Sequence, residues 1–202
     1  MKRYIVPLIL GAALTGAPAS AQSDLYLGVD LLSSSNSFDI YDSGYPTSDV
    51  SNTSKAFKIK LGFQGYDGWR MQGYYLYENF DEPLFDDRND ELGEIGVDFI
   101  KAFGAGPGIA PFIQFGLGVG WMDLNDIPPY YYDDTSVGEY SAKVGAGVIF
   151  WLSPAIDLVA GIDLQQRWWG DINYYDDTTG RNEYVETDDT SARAYIGLNI
   201  YF

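Results

Sequence analysis

Ser191-Ala-Arg-Ala-Tyr-Ile-Gly-Leu-Asn-Ile-Tyr-Phe202 is the last segment of a 202-residue chain, and it alternates. Phe202, Ile200, Leu198, Ile196, Ala194 and Ala192 share one parity and are apolar. Tyr201, Asn199, Gly197, Tyr195 and Arg193 share the other and are polar, small or amphipathic. Period two describes a strand with one apolar face. The alternation runs to the terminal residue with no polar tail. Termini of soluble domains fray into water, so this ending suits a strand whose apolar face meets lipid and whose last aromatic sits at a membrane interface.

Seven further segments upstream show the same alternation. Asp24–Leu32 sets Leu25, Leu27, Val29 and Leu31 against Tyr26, Gly28 and Asp30. Lys55–Gln64, Trp69–Glu78, Leu92–Phe103, Ile109–Trp121, Tyr140–Phe150 and Ala155–Trp169 follow. The connections alternate in length. Ser33–Ser54, Asn79–Glu91, Met122–Glu139 and Gly170–Thr190 read as long polar loops, whereas Gly65–Gly68, Gly104–Gly108 and Trp151–Pro154 read as tight turns. An even strand number, short turns at one end and long loops at the other predict an all-β fold: an eight-stranded antiparallel up-and-down transmembrane β-barrel over residues 22–202. Closure removes the edges that an open sheet would expose. A soluble barrel would turn its apolar parity inward; here the other parity collects the charges.

Lys2 and Arg3 precede an apolar run, Tyr4–Leu14, and Ala19-Ser20-Ala21 fits a small-residue cleavage pattern. Residues 1–21 are therefore expected to be a secretory signal peptide, since the run is shorter than the ~20 residues a spanning helix needs. Losing Lys2 and Arg3 would take the formal charge from −17 to −19, because residues 1–21 hold no acid. So acidic a chain repels nucleic acid. With no Cys there is no disulfide framework, and with no His the commonest general base and metal ligand are gone. Neither a cofactor nor a metal is expected. Gly116-x-Gly118-x-Gly120 lacks dinucleotide-fold spacing and lies on a strand.

The inward parity holds Lys58, Lys60, Arg70, Lys143, Arg167 and Arg193 together with Asp30, Glu78, Glu94, Asp98, Asp157 and Asp163. Eight strands enclose only enough room for side chains, and buried charges must pair. The expectation is a salt-bridge ladder that plugs the lumen; the alternative is a narrow charge-lined path. Acids crowd the loops, interleaved with Tyr130, Tyr131, Tyr132, Tyr174 and Tyr175 and next to Asp176 and Asp177. Tyrosine on a rigid scaffold offers contact area at low entropic cost, so these residues are the candidate interaction surface.

In its strand pattern, loop alternation and terminal Phe202, the chain resembles the small eight-stranded outer-membrane barrels of Gram-negative bacteria. That group includes OmpX, Opa and NspA and the membrane domain of OmpA. The resemblance implies a non-enzymatic integral protein of the outer membrane, in contact with its lipid and expected to be a monomer. It would scaffold the cell envelope and display its loops to an extracellular ligand; a porin-like channel is the alternative. In that group the closing strand, here Ile196, Leu198, Ile200 and Phe202, is the signal read by the outer-membrane assembly machinery. The chain stops at the barrel, so no peptidoglycan-binding domain is expected to follow. The enzymes of this architecture resemble hydrolases or acyltransferases relying on His, which is absent here.

Overall fold

The computed structural model describes residues 25–42, 45–84, 91–104, 108–123, 136–176 and 181–202. Nine strands appear among them: β1 (Leu25–Asp42), β2 (Tyr45–Gln64), β3 (Trp69–Phe80), β4 (Glu91–Ala102), β5 (Ile109–Asp123), β6 (Ser136–Ser153), β7 (Ile156–Trp169), β8 (Ile172–Asp176) and β9 (Arg181–Tyr201). Each of β1 to β7 pairs antiparallel with the next, β7 pairs with β9, and β9 pairs back onto β1. Those eight strands close the barrel. β8 follows β7 after two residues and pairs along the start of β9 (Ile172↔Val185, Asp176↔Arg181). The expected signal segment 1–21 lies outside the described residues.

One parity of each wall strand points out and is apolar. Leu31, Leu61, Ile113, Leu117, Ile162 and Ile196 are more than half exposed, whereas inward Lys58 and Arg167 are 1% and 0% exposed. Among the described residues no helix is long and apolar enough to cross a membrane; strands make the crossing. Exposed aromatics border the belt, with Tyr75, Trp121, Tyr140 and Trp168 towards the long-loop end and Phe63, Trp69, Phe150 and Phe202 towards the short-turn end. Aromatic girdles of this kind sit at lipid–water boundaries, and short turns face the periplasm. In the turn between β2 and β3, Asp67 takes φ 58°, a left-handed backbone that Asp tolerates. Lys101 Nζ reaches its carboxylate at 2.8 Å.

Phe115 lies mid-way along the outward row of β5 and is 45% exposed. Phe115→Arg is expected to cost about 2–4 kcal/mol, the penalty for a cation on the lipid face near the midplane. Urea titration in lipid vesicles, read by a gel shift between folded and unfolded forms, checks it.

Two of the expected loops are instead largely strand. In 33–54, β1 and β2 run on as a paired ribbon, Ser33↔Lys55 through Asp39↔Asp49. In 170–190, β8 and the first half of β9 do the same. The physical reason is that these stretches rise beyond the lipid. With water outside, no apolar outward row is needed, and period two vanishes from the hydropathy while the hydrogen-bond ladder continues.

Above the girdle the pattern inverts. Phe38, Phe80, Leu92, Met122, Val137, Trp169 and Ile172 point inward and pack as one buried cluster, with Ile40 and Leu84 against it. Ser37, Asp39, Asn79, Glu91, Asp123 and Ser136 face out at these levels. The extracellular end is thus built like a water-soluble barrel, with an apolar lid inside it.

Candidate functional site: the charged lumen

Residues of all eight wall strands meet in the lumen, because each strand's inward parity carries a charged or amide side chain. Inward glycines make the room. A Cβ on Gly116 would lie 2.4 Å from Lys143 Cε and 2.3 Å from Asp98 Oδ1, and one on Gly28 would lie 2.5 Å from Lys60 Cε. Each glycine therefore stands beside a long side chain that occupies its place.

At the periplasmic end, Asp157 takes Arg70 at 3.0 Å and accepts hydrogen bonds from Asn199 and Tyr201, each at 2.7 Å. The rings of Trp151, Tyr26 and Tyr201 surround the Arg70 guanidinium at 5.0–5.8 Å. In the next layer Asp30 holds Lys58 at 3.0 Å and also Lys60. Asp98 holds Lys143 at 2.8 Å and Lys58 at 3.5 Å, and accepts from Gln72 at 2.9 Å. Arg193 meets Asp163 at 2.6 Å, with Gln114 at 3.1 Å on the other oxygen. Lys143 Nζ also stands 3.8 Å above the Tyr74 ring.

The upper layer has one cation among the described residues. Arg167 contacts Asp189 at 2.9 Å, Glu94 at 3.8 Å and Glu78. Gln165 and Tyr74 donate to Glu94, and Ser54 donates to Glu78. Glu139 is 2% exposed, yet among the described residues neither of its oxygens has a hydrogen-bond partner.

All twelve residues assigned to the lumen from the sequence lie buried inside the barrel. The equal charge count does not hold. Glu139 and Asp189, placed in loops by the sequence reading, are buried inside as well, giving eight acids and six bases among the described residues. The charges are also segregated. Five bases meet four acids in the lower layers, whereas Arg167 alone faces Glu78, Glu94, Glu139 and Asp189 above. Parity could have revealed both extra acids, since Glu139 continues the row Ser141–Lys143 and Asp189 continues Ser191–Arg193.

Towards the periplasm, a vestibule of about 810 Å³ opens among Tyr66, Arg70, Ala102, Trp151, Leu152 and Pro154. Deeper in, beside Asp30, Lys58 and Arg70, the free volume falls to about 10 Å³, about what one water needs. Among the described residues no group of three or more Asp or Glu is arranged to hold a metal ion.

Ile196, Leu198 and Ile200 lie on the lipid face of β9; Phe202 follows the strand, is exposed, and its N–H donates to the Leu25 carbonyl at 3.2 Å. Of the loop surface, Tyr130, Tyr131, Tyr132 and Asp177 lie outside the described residues. Tyr174, Tyr175 and Asp176 belong to β8 by backbone, and their side chains lie outside the description.

A closed antiparallel barrel with an apolar belt and a packed polar interior defines a class: the small transmembrane β-barrels of the outer-membrane type. Solved structures with the same fold include Neisserial surface protein A (NspA), at 19% identity with TM-score 0.53, covering 89% of this chain and 98% of that one. The outer membrane protein OprG from Pseudomonas aeruginosa is similar at 11% identity with TM-score 0.50, covering 89% of this chain and 97% of that one. No family model and no curated protein matches the chain in sequence.

Proposed function

We propose that this chain is a non-enzymatic protein of the bacterial outer membrane, a monomer with a closed lumen that scaffolds the envelope and presents its extracellular end for interaction or adhesion. The closed lumen carries this reading. Where Lys58, Lys60, Arg70 and Asp30 interlock, the free space is about 10 Å³, about what one water needs. On this reading the lumen does not conduct, and the outward-facing parts act. The acidic tyrosine-bearing segments around Tyr130–Tyr132 and Tyr174–Asp177 are the surface offered to an extracellular partner, in keeping with the name of the surface protein whose fold the chain shares. The lipid-facing row ending in Phe202 serves as the assembly signal. Catalysis has no support from a lumen whose carboxylates are paired, stacked or enclosed.

Planar-bilayer recording of the refolded mature protein tests the reading, after a gel shift has shown that it is folded. The expected result is no discrete openings. Openings with charge selectivity would replace the scaffold with a narrow porin-like channel, and Arg70→Gln or Asp98→Asn should then change its conductance.

A further inference from the structure

We propose that Glu94 and Glu139 act as a proton-holding pair beneath the apolar lid, sharing one proton in the folded barrel at neutral pH. The register places them together: Glu94 pairs with Gly120, and Gly120 pairs with Glu139, so both acids stand on one rung with a glycine between them. A Cβ on Gly120 would fall 2.4 Å from Glu139 Oε1. The Glu139 side chain therefore leans across the bare glycine towards Glu94.

Among the described residues Glu94 has Arg167 at 3.8 Å, but no cation pairs with Glu139. From β7, Arg167 is committed to Glu78 of β3 and Asp189 of β9 and reaches Glu94 at 3.8 Å. β5 contributes only Gly120 at this rung. On β6 itself the next inward residues are Ser141 and Lys143, and Lys143 is taken by Asp98. Arg193 is taken by Asp163. Gln165 and Tyr74 donate to Glu94, while Glu139 receives no hydrogen bond from any described side chain. Above the rung lie Leu92, Met122 and Val137 of the lid, and Trp169 of the same cluster is the register partner of Glu139 on β7. An ionised Glu139 buried beside an ionised Glu94 would have no cation of its own, whereas a proton between them removes one charge and supplies a donor. Such a proton belongs to the pair rather than to either residue.

Linkage fixes the sign of the test. The unfolded chain releases this proton near the ordinary glutamate value of about 4.3, while the folded barrel keeps it to higher pH. Folding then binds a proton, and stability falls as pH rises through that window. Glu139→Gln keeps the shape, supplies a donor to Glu94 and needs no proton. Urea unfolding in lipid vesicles from pH 4 to pH 9 should show equal stability at pH 4. Above it, wild type should lose about tenfold in its folding equilibrium per pH unit relative to Glu139→Gln, until the folded barrel releases the proton. Parallel profiles, or a variant weaker than wild type across the range, would overturn the proposal. If the variant does not fold, infrared spectra of the wild-type barrel decide. A protonated-carboxyl C=O band present at pH 7 and lost on alkaline titration supports the pair, and absence of that band at pH 7 sinks it.

Discussion

Arg167→Ala is expected to be the most damaging single side-chain truncation in this barrel, at about 3–5 kcal/mol, the cost of breaking a buried ion pair by removing one partner. Arg167 is fully buried and is the sole cation contacting Glu78, Glu94 and Asp189 among the described residues. Removing it strands three carboxylates in a space already holding Glu139. Arg167→Lys should recover little, because one ammonium cannot reproduce the separate contacts that Nη1, Nη2 and Nε make to three acids. Acid should partly rescue the alanine variant, since protonated carboxyls need no cation. Refolded fraction by gel shift at pH 4 and pH 8 checks both statements. Equal folding of wild type and Arg167→Ala at pH 8 would show the layer to be wet rather than enclosed. Lys101, whose partner Asp67 is exposed at the periplasmic turn, is the contrasting site, where truncation should matter little.

Gly147→Val should come second, and by a different route. A Cβ at Gly147 would lie 2.2 Å from the Ala160 carbonyl oxygen, 2.6 Å from Phe112 Cζ and 2.8 Å from Gly161 Cα. Two of those obstacles are the backbone of β7, so no rotamer change relieves the overlap and the β6–β7 ladder must separate. Overpacking usually costs about 1–3 kcal/mol; with main chain as the obstacle, the upper end or complete loss of the folded band is expected. Gly73, on the lipid face of β3, is the control. Its Cβ would meet nothing nearer than 4.0 Å, so Gly73→Ala should fold like wild type in the same gel-shift assay.

The membrane-crossing part of the fold was legible because lipid on one side and a charged lumen on the other impose opposite demands on alternate residues. Ile113, Phe115, Leu117 and Val119 against Gln114, Gly116 and Gly118 show that alternation, and the charges on the non-apolar parity of the other strands distinguish it from a soluble barrel. That signal stops where the lipid stops. Ser33–Ser37 of β1 is polar on both faces because water lies outside and Ser34 and Asn36 fill the inside, so a ribbon was taken for a loop. Higher still, Phe38 faces in and Asp39 faces out, the reverse of the spanning pattern. Glu139 and Asp189 were missed for the same reason: each lies just beyond the apolar run that had marked its strand's end. Which acid pairs with which base was not readable, since partners such as Arg167 and Glu78 come from strands far apart in the chain.

The overhang of the wall strands is lopsided. β1, β2 and β9 span 18, 20 and 21 residues, whereas β3 and β4 span 12 each. Beyond Leu32 the β1 strand continues for ten residues, Ser33 to Asp42. At about 3.4 Å per residue and the usual tilt, that raises its tip roughly 25 Å above the lipid boundary. The raised side is a stiff palisade of adjacent strands, β8–β9–β1–β2, laced by backbone hydrogen bonds. Among the described residues, that parapet stands farthest from the bilayer and the lumen, so a surface approaching from outside would meet it before either.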